Sequence, residues 1–215
     1  MAGCCNPKGY DEMFDGRQAR KDARRYRRSG LGRSARWIFD AVCGRGVAGA
    51  GVLEIGGGIG DLQLELLDAG AARTVNVELS QAYEAAAAEL IAEAGPEDRV
   101  ERRLGDFVAE GGTIEPADLV VMNRVVCCYS DYEALVGAAA DHAQRALVFT
   151  FPRDGLLVRA AFAGMNLVLR LRGVDFRAYV HPRRGMLAVA EAHGLRLVTE
   201  RAGMVWRLAA FERPA

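Results

Sequence analysis

The feature that most restricts the fold of this chain is a regular alternation of short β-favouring runs with alanine- and leucine-rich helical stretches. The β-favouring runs fall at residues 51–55, 74–78, 99–102, 118–122 and 146–151, with helix-favouring stretches at 62–69, 81–94 and 132–143 between them. Strands that alternate with helices belong in a parallel sheet covered on both faces. Near the C-terminus the alternation changes, because runs at 195–200 and 204–211 are separated only by the turn signal Arg201-Ala202-Gly203. A closing hairpin of that kind sets the last strand antiparallel to its neighbours. The expected fold is therefore a doubly wound, mostly parallel α/β sheet of seven strands with the last one reversed.

Two polar-faced helices, 22–28 and 34–42, precede the sheet and are separated at Ser29-Gly30-Leu31-Gly32. This end is locally basic: Arg17, Arg20, Lys21, Arg24, Arg25, Arg27, Arg28, Arg33 and Arg36 are opposed there only by Asp22. Over the whole chain 28 basic residues balance 28 acidic ones, so no nucleic-acid partner is expected. The five cysteines, Cys4, Cys5, Cys43, Cys127 and Cys128, are odd in number and lack a CxxC pair. Neither a disulfide framework nor a metal site is expected, and a reducing, cytoplasmic setting fits. Charge by Lys8 without an apolar run gives no secretory leader.

A ligand loop stands at the end of the first strand run. Glu54 leads into Gly56, Gly57, Gly58 and Gly60, where the chain turns sharply and a ligand can approach the main chain. The dinucleotide spacing G-x-G-x-x-G fails, since positions 61 and 63 are Asp61 and Gln63. The pattern acid-x-G-x-G-x-G is complete, and an acid at the strand end suits the amino group of a cationic amino-acid ligand. Glu78 ends the next strand run, where a carboxylate can accept from both ribose hydroxyls, with Leu79 and Ser80 beside an adenine ring. After the third run, Asp106 can accept from an adenine amino group and Phe107 can pack on the ring. Asn123 and Arg124 at the end of the fourth run face the other side of the same ligand.

With VLEIGGGIG, VNVELS, GDF and ALVFTF in this order, the chain from about Trp37 onward resembles the class I S-adenosylmethionine-dependent methyltransferases. The resemblance implies a Rossmann-like sheet with a reversed last strand and S-adenosylmethionine as cofactor. A looser similarity to magnesium-protoporphyrin O-methyltransferases runs from ADLVVMNRVVCCYSDYEALVGAAA through ALVFTFPRD to His181-Pro182. It implies methyl transfer to oxygen on a small, apolar or aromatic molecule. The Cys-Cys pairs and the basic head depart from that group and leave a specialised metabolite equally open. Alternatives are a non-methylating reaction such as cyclisation or decarboxylation, a purely structural use of the cofactor, and a nicotinamide-dependent oxidoreductase. A base-methylating Asn-Pro-Pro-Tyr motif is missing, since Asn123 is followed by Arg-Val-Val.

Methyl transfer depends on alignment, and a base helps only some acceptors. Tyr129 and His181 are the candidate catalytic residues, His181 because its ordinary pKa lies near neutrality, with capping or packing before Pro182 as the alternative. Tyr132, Arg153 and Tyr26 are the candidate substrate contacts, Arg153 as partner of an anionic acceptor or as a solvated cation. Cys127 and Cys128 read as small buried apolar residues, and Cys4 and Cys5 as a minority candidate cover of the pocket. The organisation expected is an N-terminal helical cap, 1–36, that closes over the cofactor with Tyr10, Phe14 and Tyr26. A main domain, 37–215, follows and contains a lid insertion, 154–181. The apolar stretch 155–169 within it is too short to span a bilayer. It is expected to form a helix acting as a lid over a hydrophobic substrate; a homodimer face, or a membrane-touching face with Arg159, Arg170 and Arg172 at the interface, are the alternatives.

Overall fold

A computed structural model describes residues 7–95 and 97–214. Three helices come first: α1 (Pro7–Met13), α2 (Gly16–Ser29) and α3 (Arg33–Cys43). α2 is longer than the polar pattern at 22–28 predicts. Asp15 caps its start by accepting from the Gln18 N–H at 2.8 Å. Its buried stripe is Ala19 and Ala23, which leaves little hydrophobic period to read. Gly30, with φ 65°, ends it at the expected break.

Strands and helices then alternate as β1 (Gly51–Ile55), α4 (Asp61–Asp68), β2 (Arg73–Glu78), α5 (Glu84–Ala94), β3 (Val100–Leu104) and α6 (Phe107–Glu110). They continue as β4 (Ala117–Met122), α7 (Tyr132–His142), β5 (Ala143–Pro152), α8 (Leu156–Leu171), α9 (Arg183–Ala192), β6 (Arg196–Ala202) and β7 (Trp206–Glu212). The seven strands lie in the order β3-β2-β1-β4-β5-β7-β6. β1 through β5 pair in parallel, and β7 is antiparallel to both β5 and β6.

Successive strand residues serve opposite faces, as the two-residue pleat requires. Leu53, Val120, Met122, Leu147 and Phe149 meet α7 and α9 through Leu135, Val136, Met186 and Leu187. Val52, Leu119, Val121 and Val148 meet α3 and α4 through Ile38, Val42, Leu62 and Leu66. Burial on both faces is why these strands read as continuous apolar runs. α2 and α5 extend the second layer, packing Ala19, Ala23 and Leu90 with Leu64. At the β5–β7 seam Phe149 and Phe211 stack with ring centroids 5.8 Å apart.

The order of connection reverses between β1 and β4, so the chain leaves the sheet centre in both directions. Beyond the C-terminal ends of those two strands lies the crevice where doubly wound sheets bind ligands. Among the described residues no helix is long and apolar enough to cross a membrane.

Candidate functional site

The turn after β1 is built by glycines with different duties. Gly56, Gly58 and Gly60 have φ of 65°, 56° and 76°, the left-handed region that penalises a Cβ. At Gly57 the constraint is space: a Cβ there would lie 2.0 Å from Asn76 Nδ2 and 2.5 Å from Glu54 Cδ. Asn76 itself donates to Gln63 Oε1 at 2.9 Å and to Glu54 Oε2 at 3.4 Å, forming a buried polar layer beneath the turn.

Acidic side chains surround this turn. Glu54 is 1% exposed, and burial, reinforced by Asp61 and opposed by Arg102, pushes its carboxyl up to about 8. Asp61 at the start of α4 is raised by burial to about 6, with Arg25 acting against the rise. Glu78 accepts from the Gly58 N–H at 2.8 Å and from the Ser80 N–H at 2.9 Å, so the end of β2 is tied to the glycine turn. Burial raises its pKa and these two N–H donors oppose the rise. After β3, Asp106 caps α6 through the Val108 N–H at 3.0 Å and accepts from the Tyr129 hydroxyl at 3.2 Å.

At the end of β4 the backbone is held in an unusual form. Arg124 is a non-glycine residue at φ 64°, its N–H donating to Thr150 Oγ1 at 2.9 Å, while the Thr150 hydroxyl donates to Asn123 Oδ1 at 3.1 Å. Its guanidinium lies 4.8 Å from the Trp206 ring centroid, a cation–π contact that adds to the hold.

One cavity of about 720 Å³ joins these groups. Its polar end is lined by Glu54, Glu78, Asp106 and Asn123, with Asp22 and Arg25 reaching in from α2. Arg25 stands 3.9 Å from Asp61 and supplies positive charge at this end. Apolar side chains complete the lining, among them Phe14, Phe162, Met165, Phe176 and Trp206. Phe176 meets both Tyr10 and Phe14 edge to face, with centroids 5.5 and 5.4 Å apart. The Tyr10 hydroxyl donates to the Cys128 carbonyl, which ties α1 to the loop after β4. Cys127 and Cys128 also line the cavity, their sulfurs 3.6 Å apart.

Most of the residues expected from the sequence on the cofactor side meet here: Glu54, Gly56, Gly57, Gly58, Glu78, Leu79, Asp106, Phe107, Asn123 and Arg124 all line the cavity. Gly60 does not line it and instead shapes the turn. Ser80 does not line it either; it is fully buried and its hydroxyl donates to the Phe14 carbonyl, so it anchors the chain leading into α2.

The substrate-side expectations are placed differently. Tyr129 lines the cavity, but its hydroxyl is turned to Asp106 and so braces that carboxylate. His181 lies outside the lining: its Nε2 is 2.9 Å from the Tyr129 carbonyl, and its ring sits between Tyr132 and Tyr179 at 4.9 and 5.5 Å. Burial lowers its pKa and favours the neutral ring, as in the packing alternative. Tyr132 bonds to Glu133, Arg153 is exposed on the loop after β5, and Tyr26 is turned away towards Glu65 at 3.3 Å. None of these three lines the cavity. Cys4 and Cys5 lie outside the described residues.

Sequence reasoning missed Arg25, Phe162, Met165, Phe176 and Trp206. Phe162 and Met165 were readable in principle, since Val158, Phe162, Met165 and Leu169 recur at helical spacing along one side of α8. An equally apolar opposite side hid that stripe.

A seven-stranded sheet with an antiparallel β7 and a glycine turn after β1 is the Rossmann-like fold of the class I methyltransferases, as the motif set implied. Among solved structures, the chain is similar to magnesium protoporphyrin IX methyltransferase from Synechocystis PCC 6803 with bound S-adenosylhomocysteine, at TM-score 0.72 and 17% identity over 96% of this chain and 98% of that one. It is also similar to an O-methyltransferase family protein from Burkholderia thailandensis, at TM-score 0.73 and 21% identity over 95% of this chain and 62% of that one. A third, an O-methyltransferase family 2 protein from Planctomyces limnophilus in complex with apigenin, aligns at TM-score 0.60 and 20% identity over 86% of this chain and 63% of that one. No protein-family model matches the sequence, and no curated protein does.

Proposed function

We propose that the chain is an S-adenosylmethionine-dependent methyltransferase acting at oxygen on a compact, largely aromatic small molecule. The observation that carries this reading is the meeting of Glu54, Glu78, Asp106 and Asn123, from the ends of four successive strands, around one glycine turn in one cavity. The donor set fits the cofactor: an acid for a cationic amino group, a carboxylate for two ribose hydroxyls, an acid for an adenine amino group, and Arg25 for a carboxylate. When bound, the cofactor supplies an electrophilic methyl group on a sulfonium centre. The S-adenosylhomocysteine in the Synechocystis neighbour supports the assignment.

The chain's own contribution is placement and exclusion of water. Phe14, Phe162, Phe176 and Trp206 offer ring faces and edges to a flat acceptor, and about 720 Å³ shared between cofactor and acceptor favours a compact one. We assign His181 a positioning role, holding the loop after β4 through the Tyr129 carbonyl. The cap and the 154–181 insertion supply the walls of the acceptor end through Phe14, Phe162 and Phe176.

Calorimetry with S-adenosylhomocysteine and with NAD tests the proposal. Saturable binding of the first and none of the second is expected. Each hydrogen bond to a charged group contributes about 1.5–3 kcal/mol, so Glu78→Ala should weaken binding at least ~10-fold. Tight NAD binding, or unchanged affinity in Glu78→Ala, refutes the cofactor assignment. Incubation with compound libraries and detection of a one-methyl mass gain then tests transfer itself.

A further inference from the structure

α8 has two apolar sides, and only one of them is used by the cavity. At the α-helical advance of about 100° per residue, Leu156, Leu157, Leu167, Val168 and Leu171 fall on the side opposite the Phe162 and Met165 stripe. These five are exposed, Leu156, Leu157 and Leu171 to 86%, 87% and 78%. No residue of α8 is buried. The tip of the β6–β7 hairpin adds Met204, 85% exposed, and the Val205 carbonyl accepts from the Arg153 N–H at 2.7 Å, which holds that tip beside the entry to the helix. A contiguous exposed apolar patch of this kind marks an interaction surface.

Charge identifies the occupant. Residues 155–172 carry Arg159, Arg170 and Arg172 and no acid, in a chain whose total charge is zero. By the same helical advance, Arg159 and Arg170 flank the outer apolar arc on one side and Arg172 on the other. All three are exposed. A second copy docked through this face would bring arginines towards arginines with no carboxylate on the helix to answer them. An anionic lipid surface complements both properties: apolar side chains enter the headgroup boundary while arginines extend to the phosphates.

We propose that the outward face of α8, with the β6–β7 hairpin tip, docks on the surface of an anionic lipid bilayer. The helix lies along the interface, because a 16-residue helix spans about 24 Å, less than the hydrocarbon core. A second cavity of about 530 Å³, lined by Leu156, Arg159, Ala160, Ala163 and Val180, opens beside this face and shares Phe162 and Ala178 with the main cavity. One layer of side chains therefore separates the docked face from the site of the proposed reaction. The docking itself is independent of that reaction and is measured without cofactor.

The test is co-sedimentation of the full chain with vesicles of phosphatidylcholine alone and of phosphatidylcholine with phosphatidylglycerol. The protein should sediment with the mixed vesicles, less so at high salt, and remain in solution with the neutral ones. With about a fivefold contribution per arginine near an anionic surface, Arg159→Gln, Arg170→Gln and Arg172→Gln together should weaken the partition roughly 100-fold. Leu157→Glu with Leu167→Glu should abolish it, with unchanged melting because both sites are exposed. The proposal is overturned if the protein ignores mixed vesicles, or if either variant sediments like the parent. It is equally overturned if sedimentation equilibrium shows a dimer that the double leucine variant makes monomeric, which assigns the face to a second copy.

Discussion

Glu54 is held where water barely reaches it, and its carboxyl is pushed up to about 8 by burial. Its unfolded value is 4.5, so the folded state binds the extra proton. A raised value contributes stability fully below the unfolded pKa and loses it as pH rises through the folded one. Asp61, raised to about 6, adds to the lower part of that window. The melting temperature of the ligand-free protein should therefore fall between about pH 4 and about pH 8, and Glu54→Gln should flatten the decline. A ligand ammonium group placed at Glu54 favours the ionised form, so binding near neutral pH should release protons. Calorimetry in buffers of different ionisation enthalpy reads this directly, and proton uptake would count against an ammonium ligand at Glu54. Glu54, Glu78 and Asp106 were legible in the sequence because each stands at or just after a strand end beside a turn, whereas Asp22 and Asp61, carried on helices, were not. His181 was not, since a histidine before proline reads the same whether its ring faces a cavity or the Tyr129 carbonyl.

At the scale of elements, the glycine turn is the least replaceable piece. A Cβ at Gly57 meets Asn76 and Glu54, two buried side chains already bonded to each other. Overpacking of this kind costs about 1–3 kcal/mol, so Gly57→Ala should lower the melting temperature and weaken S-adenosylhomocysteine at least ~10-fold. Gly112→Ala, where nothing lies within 4 Å, should change neither and serves as the control. Equal effects from both substitutions would remove the steric reading of the turn. The central strands were readable within a few residues, because burial on both faces leaves a plain apolar signature, while β3 and β6 at the sheet edges carry charged, exposed residues. α1 was not legible at all, and α2 only in its second half. Their packing uses two alanines and aromatic contacts contributed by distant segments, which carry no local period.

Over the whole molecule, the sheet and its flanking helices form a base, and the cavity is walled from above by α1, α2, α8 and the segment after α8. α1 contributes Tyr10 to the aromatic wall, with Phe14 just after it, and α1 lies outside the three buried clusters of the core, Phe14 touching the edge of one. Removing residues 1–13, which keeps the Phe14 carbonyl bonded to Ser80, should therefore leave a folded protein that still binds S-adenosylhomocysteine. Its KM for acceptor should rise by roughly 10-fold, the equivalent of about 1.4 kcal/mol of lost apolar contact. A variant that loses cofactor affinity and acceptor affinity together would mean that α1 serves the whole cavity.

Gly9 touches the main chain of the segment after α8, where a Cβ would stand 2.7 Å from the Phe176 nitrogen. Glu12 accepts from the Asp175 N–H at 3.4 Å beside it. Two walls distant in the sequence are thus joined by a close main-chain approach and a side-chain hydrogen bond. On the proposed reaction, spent cofactor and methylated product would both leave past these joined walls, and a transient experiment that follows both should then record one exit phase.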